Sequence, residues 1–332
     1  MYDLESLKLS STVRWVQNGI TVAGAGAANG ESGSSFNRLS RYTGIYCADD
    51  DILYIADPSN NRIVLIASNS TTAMALMGQQ SQSDTFTFSS PYDVFVTRTS
   101  IYVMDTGNFR VQKWSRDLSN ANTAAGFLRQ PGDSTNMKTF SFAYNLFVDN
   151  YDSVFVSDYG NHRVIRFPWN SMSDTNGAMV AGTGIRGSQS NQLNQPRGIF
   201  VTDNEMLYIA DLFNHRIQKW TIGNTNGVTV AGTGMSGRAL SQLSYPNAVL
   251  VDLNGDMYIT DSGNDRIVRW GSGTDTGECI AGCTGYWGID SSQLSDPNSI
   301  AFDSSGSMYV SDTRNNRVQK FELLTETSRV LI

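Results

Sequence analysis

Histidine is almost absent from this chain, with two residues in 332, and cysteine is scarce, with three. A zinc site needs about four convergent Cys or His ligands, and so few residues do not supply them. No run of 18 apolar residues occurs, which leaves no candidate for a membrane-spanning helix. The start, MYDLESLKLSS, lacks the basic-then-apolar layout of a secretory signal. Lysine and arginine form no cluster. The formal net charge is −7, so no bulk attraction draws the chain to nucleic acid or anionic lipid. Charged residues make up only 17% of the chain, against 40% hydrophobic. That balance is enough for a packed core. It suits a β-rich protein with Ser, Thr, Asn and Gly in its turns better than a helical one.

What is present is a repeat. The pattern Asp, two residues, Asn, one residue, Arg occurs six times, as in YIADPSNNRIVLI from Tyr54, YIADLFNHRIQKW from Tyr208 and YVSDTRNNRVQKF from Tyr309. Its acids are Asp57, Asp105, Asp158, Asp211, Asp261 and Asp312, spaced by 48, 53, 53, 50 and 51 residues. Its arginines are Arg62, Arg110, Arg163, Arg216, Arg266 and Arg317. With the six motif pairs removed from 31 acids and 24 bases, 25 acids face 18 bases, so the imbalance lies outside the motif. A fixed period of this length signals propeller blades. No linker or low-complexity tract divides the chain. We therefore read 1–332 as one domain, with a closing strand and entry loop in 1–30 and six repeat units in 31–332.

The fourth unit shows how one blade is built. Gly198–Thr202, Leu207–Ala210, Arg216–Trp220 and Val228–Ala231 read as four short strands, with Asn226-Gly227 as the hairpin signal before the last. Asp211 suits the turn after the second strand, and Asn214 tolerates a left-handed backbone. Leu39, Phe88, Phe140, Leu193, Leu243 and Leu294 each sit three residues before the strand-one Pro or its substitute and read as plugs between blades. Gly19-Ile-Thr-Val-Ala-Gly24 repeats the fourth-strand text Gly227-Val-Thr-Val-Ala-Gly232 but precedes the first complete unit. It is expected to be the outer strand of the last blade and so to close the ring. Ser328–Ile332 competes for that place. The fold expected is an all-β six-bladed propeller with four-stranded antiparallel blades.

The pattern resembles the NHL-repeat family of six-bladed β-propellers. The resemblance rests on the six Asp-x-x-Asn-x-Arg strings and the strands on either side, and it covers nearly the whole chain. It implies an interaction module, a binding scaffold rather than an enzyme, with no cofactor and a protein or peptide as the expected partner. Nucleic acid is not expected, and the chain is expected to be monomeric.

A group repeated once per blade serves each blade, so the motif Asp and Arg are assigned to structure. Cys47 falls on a strand-one position and reads as a buried thiol. A bend at Ala281-Gly282 would bring Cys279 and Cys283 within disulfide range, which would imply an oxidising, extracellular setting. The calcium-dependent lactonase type of propeller supplies the alternative function, a metal-dependent hydrolase at the channel mouth. Asp93, Asn145, Asn247 and Asn298 offer oxygens at the starts of first strands, with Arg197 on the same rim. Their unequal offsets from the Pro position argue that they need not converge. The feature with most functional content is one-sided. The motif turns of blades two to four carry Phe109, Tyr159, His162, Leu212, Phe213 and His215. Blades one, five and six have Ser59, Asn61, Ser262, Asp265 and Asn316 instead. Loops between blades add Phe127, Leu128, Tyr286 and Trp287. These residues form the candidate binding patch, and nothing in the pattern gives the departures a folding role.

Overall fold

The computed structural model describes residues 9–10, 12–24, 38–39, 44–67, 70–78 and 86–324. Six four-stranded antiparallel sheets form the blades of a propeller. Blade one comprises β2 to β5, Ile45–Cys47, Ile52–Asp57, Arg62–Ala67 and Ala73–Met77. Blade two comprises β6 to β9, Pro91–Val96, Ser100–Asp105, Arg110–Ser115 and Ala121–Gly126. Blade three comprises β10 to β13, Asn145–Val148, Val154–Asp158, Arg163–Phe167 and Ala178–Gly182. Blade four comprises β14 to β17, Pro196–Val201, Met206–Asp211, Arg216–Thr221 and Val228–Ala231. Blade five comprises β18 to β21, Pro246–Val251, Met257–Asp261, Arg266–Trp270 and Gly277–Ala281.

Blade six is β22 to β24, Pro297–Phe302, Met308–Asp312 and Arg317–Phe321, completed by β1, Ile20–Ala23. Ile20 pairs with Lys320, Thr21 with Gln319 and Ala23 with Val318, so the two ends of the chain close the ring by strand pairing, as expected. The competing segment Ser328–Ile332 lies outside the described residues. The strands are apolar on both faces because each blade is covered by its neighbours. The plug residues are all buried, from Leu39 at 1% exposed to Phe88 at 5%.

One turn signal had a different meaning. The β16–β17 turn closes at Thr221–Asn224, with Gly223 in the left-handed region, not at Asn226-Gly227. Gly227 lies over the ring of Trp220, where a Cβ would stand 2.4 Å from the indole. The glycine is there for close approach, not for the turn.

After each motif Asp the chain makes a single 3-10 turn and ends in a left-handed residue, namely Asn61, Phe109, His162, His215, Asp265 or Asn316. This slot reaches the next blade. Asn61 Oδ1 accepts the amide of Ser90 at 2.8 Å, and Asp265 Oδ1 that of Asp296 at 2.9 Å. His162 Nδ1 accepts the amide of Gln195, and His215 Nδ1 that of Tyr245, both at 3.1 Å. The two histidines therefore latch blades three to four and four to five. This overturns the expectation that their departure from the repeat brings no folding benefit.

Burial holds both imidazoles below their ordinary pKa, aided at His162 by Arg186. A depressed histidine pKa contributes stability above the unfolded value of about 6.5, and that stability is lost as pH falls through the folded value. Wild type is therefore expected to lose more melting temperature between about pH 7.5 and 5 than the His162→Asn, His215→Asn double variant, because asparagine fills the same slot in blade one without titrating. Equal losses in scanning calorimetry would refute the latch. Deleting residues 1–25 is expected to cost roughly 5 kcal/mol or more, because it removes β1 and the buried Trp15 and exposes the edge of β24. An unchanged melting temperature would refute ring closure by this segment.

Candidate functional site

The first strands run from the motif face down the central channel. Those of blades two, four, five and six depart from regular pairing where they enter, with register shifts between Pro91 and Asp93, Pro196 and Ile199, Pro246 and Val249, and Pro297 and Ile300. Such bulges re-aim side chains. As a result Asp93, Arg197, Asn247 and Asn298 join Asn145 in lining one small cavity of about 20 Å³ at the mouth. The unequal offsets, which left convergence open, do not keep them out of one cavity.

Within the mouth the five residues form two groups. Asn145 Nδ2 donates to Asp93 Oδ2 at 2.7 Å, and the amide of Leu146 donates to the same oxygen at 3.0 Å. Burial pushes the Asp93 carboxyl up to about 7, against the pull of the Leu146 and Val94 amides. Across the mouth, Arg197 Nη1 donates to Asn247 Oδ1 at 2.6 Å and to Asn298 Oδ1 at 3.0 Å, and its guanidinium lies 4.9 Å from the ring centre of Tyr144. Of the oxygens a hard cation would need, those of Asn247 and Asn298 are thus turned toward a resident guanidinium, and Asn145 Oδ1 accepts the amide of Ile199 at 2.8 Å. Among the described residues no group of three or more His, Cys, Asp or Glu is placed to hold a metal.

Below the mouth the channel is filled. Tyr46 lies tilted against Phe95 at 4.7 Å, Phe147 meets Phe95 and Phe200 edge to face at 5.0 and 5.3 Å, and Leu250 and Ala301 line the same cavity of about 80 Å³. The buried thiol of Cys47 lines it too, and burial pushes that thiol far above its ordinary pKa.

On the motif face Tyr159 is half-buried. Its ring meets Tyr144 edge-on at 4.8 Å, and Tyr144 meets Tyr92 at 4.6 Å. Phe109, also half-buried, meets Phe142 at 6.0 Å. Phe213 is 40% exposed and packs edge-on against Tyr245, which also touches His215. His162 and His215 are half-buried, as are Phe127 and Leu128. Leu212 must be removed from the patch, since it is 7% exposed. Its slot is an inward one. Thr106 occupies it in blade two and donates to the carbonyl of Ala143, and Ser262 occupies it in blade five and donates to that of Pro297.

Two exposed rings were missed, Phe142 at 54% and Tyr245 at 43%. Both have positive φ and stand just before the strand-one Pro position, where other blades have Ser90, Gln195 and Asp296. Comparing that slot along the repeat would have found them.

The loops between blades carry the most exposed side chains of this face. Ile185, Met235 and Tyr286 follow the same Thr-Gly pair in blades three, four and five and are 66%, 67% and 73% exposed, and Trp287 is 70% exposed. Cys279 and Cys283 form a disulfide with Cα atoms 5.8 Å apart, and the bend between them uses Gly282 at φ +69°. Blade five is one residue longer than blade four at this point, and the additional residue is Cys283. The insertion is thus tied back to its own strand at the root of the loop that presents Tyr286 and Trp287.

Titration calorimetry with calcium is expected to give no isotherm at micromolar concentrations, the range of a sensor-class site. One-site binding abolished by Asp93→Ala would instead restore the hydrolase reading of the mouth.

No curated protein matches the sequence. Solved structures show the fold. An auxiliary nutrient binding protein from Bacteroides ovatus superposes with a TM-score of 0.67 at 15% identity, covering 95% of this chain and 78% of that one. A gluconolactonase from Xanthomonas campestris gives 0.60 at 12%, covering 96% and 99%. The virginiamycin B lyase of Staphylococcus aureus, with quinupristin, gives 0.56 at 12%, covering 88% and 82%. Proteins named for such different activities share the architecture, so the superpositions carry the fold alone. The sequence model of the NHL repeat matches residues 294–321, which span the plug, first three strands and clamp of blade six. Six copies of that unit, closed into a ring by the N-terminal strand, make this chain an NHL-repeat β-propeller.

Proposed function

We propose that the chain is a non-enzymatic binding scaffold that takes a protein or peptide on the face carrying the motif turns. The observation that carries the reading is the row Ile185, Met235 and Tyr286, one slot of three successive loops, each about two-thirds or more exposed, with Trp287 beside it. Exposed apolar side chains that recur in neighbouring loops above a polar frame mark an interaction surface, and aromatic residues are the usual anchors. Phe142, Phe213 and Tyr245 extend the surface inward. The disulfide at the root of the Tyr286 loop supports an oxidising compartment for the protein. A lactonase-like hydrolysis at the mouth has less support, because Arg197 holds the Asn247 and Asn298 oxygens and a single carboxylate, Asp93, lines the mouth.

Selection of a phage-displayed random peptide library on the folded protein tests this. Selected peptides are expected to bind the Tyr286→Ala, Trp287→Ala double variant at least about 30-fold more weakly, the equivalent of about 2 kcal/mol. Both side chains are exposed, so the melting temperature should stay within a few degrees. Peptides that bind wild type and variant equally would overturn the assignment.

A further inference from the structure

We propose that the face opposite the motif turns is a second binding site, for a neutral oligosaccharide laid along a groove on blades two to four. Three clefts of about 280, 380 and 620 Å³ open there. The first and second meet at Tyr151, and the second and third meet at Trp169. Together they form one groove. It starts between the inner turns of blades three and four, passes the lower edge of the channel collar at Phe95 and Val148, and ends beside β9 at the outer edge of blade two.

The two residues that divide the groove are flat, aromatic and largely in solvent. Tyr151, in the β10–β11 turn, is 74% exposed, and Trp169, in the β12–β13 turn, is 68% exposed. Their turns are held independently of any ligand. The Asp149 carboxylate accepts the amides of Tyr151 at 2.9 Å and Ser153 at 2.8 Å, and it is paired with Arg166 at 3.0 Å. Two residues beyond Trp169, the buried Ser171 donates its hydroxyl to the carbonyl of Ala124 in blade two, and its amide to Pro168. Two exposed rings on fixed backbones are preorganised platforms, which lowers the ordering cost of binding.

The surfaces between the platforms mix apolar groups, such as Phe95, Val96 and Val148, with polar ones. Thr97, Asn150 and Asp152 line the middle cleft, and Asn120, Asn122 and Asn170 line the outer one. A pyranose has a face of C–H groups, which act as weak donors toward the negative face of an aromatic ring. It also has a rim of hydroxyls, each both donor and acceptor, which amides and carboxylates satisfy in pairs. Platforms separated by clefts that carry amides and carboxylates match a chain of sugar units. A protein interface would instead need a contiguous apolar centre. The charge decides the class of glycan. Asp49, Asp149, Asp152, Asp203 and Glu205 line the first two clefts with Arg98. Although Arg166 pairs with Asp149 and Glu205 and Lys113 with Asp152, five acids against three bases leave the groove net acidic, which disfavours sulfate, phosphate and uronate groups.

Titration calorimetry with cellopentaose, xylopentaose, mannopentaose and chitopentaose, and with a heparin pentasaccharide as the anionic probe, tests the site. At least one neutral probe is expected to bind with a Kd of about 10⁻⁴ M, and the heparin probe is not. Trp169→Ala and Tyr151→Ala should each weaken binding about tenfold or more. Trp169→Tyr should retain most of it, and Trp287→Ala, on the other face, should leave it unchanged. Melting curves check that each variant is folded. The proposal is overturned if no neutral probe binds by about 10 mM, if the heparin probe binds more tightly than the neutral ones, or if a probe's affinity survives loss of both platforms. Dependence on Trp287 instead of Trp169 would place the ligand on the motif face and overturn it as well.

Discussion

Everything on the motif face is held by one interaction, the buried Asp–Arg pair of each blade. All six carboxylates are fully buried, and each accepts Nε of its arginine at 2.7 to 2.8 Å. Such a pair is weak grounds for stability in itself, because desolvation offsets most of the attraction, yet losing one partner strands a buried charge at a cost of about 3–5 kcal/mol. Its importance lies in what else it binds. In blade four, Asp211 also accepts the amide of Asn194, beside the plug Leu193, and the side-chain amide of Asn214. Arg216 then donates to the carbonyls of Gln189 and Gln192, and Asn214 to that of Gly187. One ion pair thus fixes the turn, the start of the first strand and the loop arriving from the previous blade. Arg266 and Arg317 hold their loops in the same way.

Because the clamp satisfies the loop backbone from within, the side chains that point outward are free of structural duty. Ile185, Met235, Tyr286 and Trp287 stand on loops whose carbonyls are already taken. The left-handed slot after the turn shows the converse. There the side chain does work between blades, so it is restricted to an acceptor in blades one, three, four and five, whether amide, imidazole or carboxylate. In blade two Phe109 offers no acceptor, and an edge-on ring contact to Phe142 takes its place. Variation in a repeat therefore has two meanings. At a latch it changes the means of an unchanged task, and at an exposed loop slot it has no folding task to serve.

What could be read from the sequence follows the same division. Strand order, blade number, plugs and ring closure were legible because each rests on a pattern repeated six times or on text copied from elsewhere in the chain. The disulfide was legible as an option, since Gly282 allows the bend that brings Cys279 to Cys283. Positions that depend on the path of the backbone were not. Asp93, Arg197, Asn247 and Asn298 reach one mouth with Asn145 through bulges where the first strands of blades two, four, five and six enter the channel. Leu212 was misplaced because its slot faces inward, where Thr106 in blade two and Ser262 in blade five bond a neighbouring carbonyl. Gly227 was misread because a glycine before a strand looks the same whether it makes a turn or lies against an indole.

The collar of Tyr46, Phe95, Phe147 and Phe200 separates the two ends of the molecule. Above it the mouth is polar, and its one cation is held by two amide oxygens and an aromatic ring. Below it the turns are acidic and are fixed by local carboxylate-to-amide bonds, as at Asp149, rather than by the motif clamp. The two faces are therefore supported by different interactions, with the collar between them.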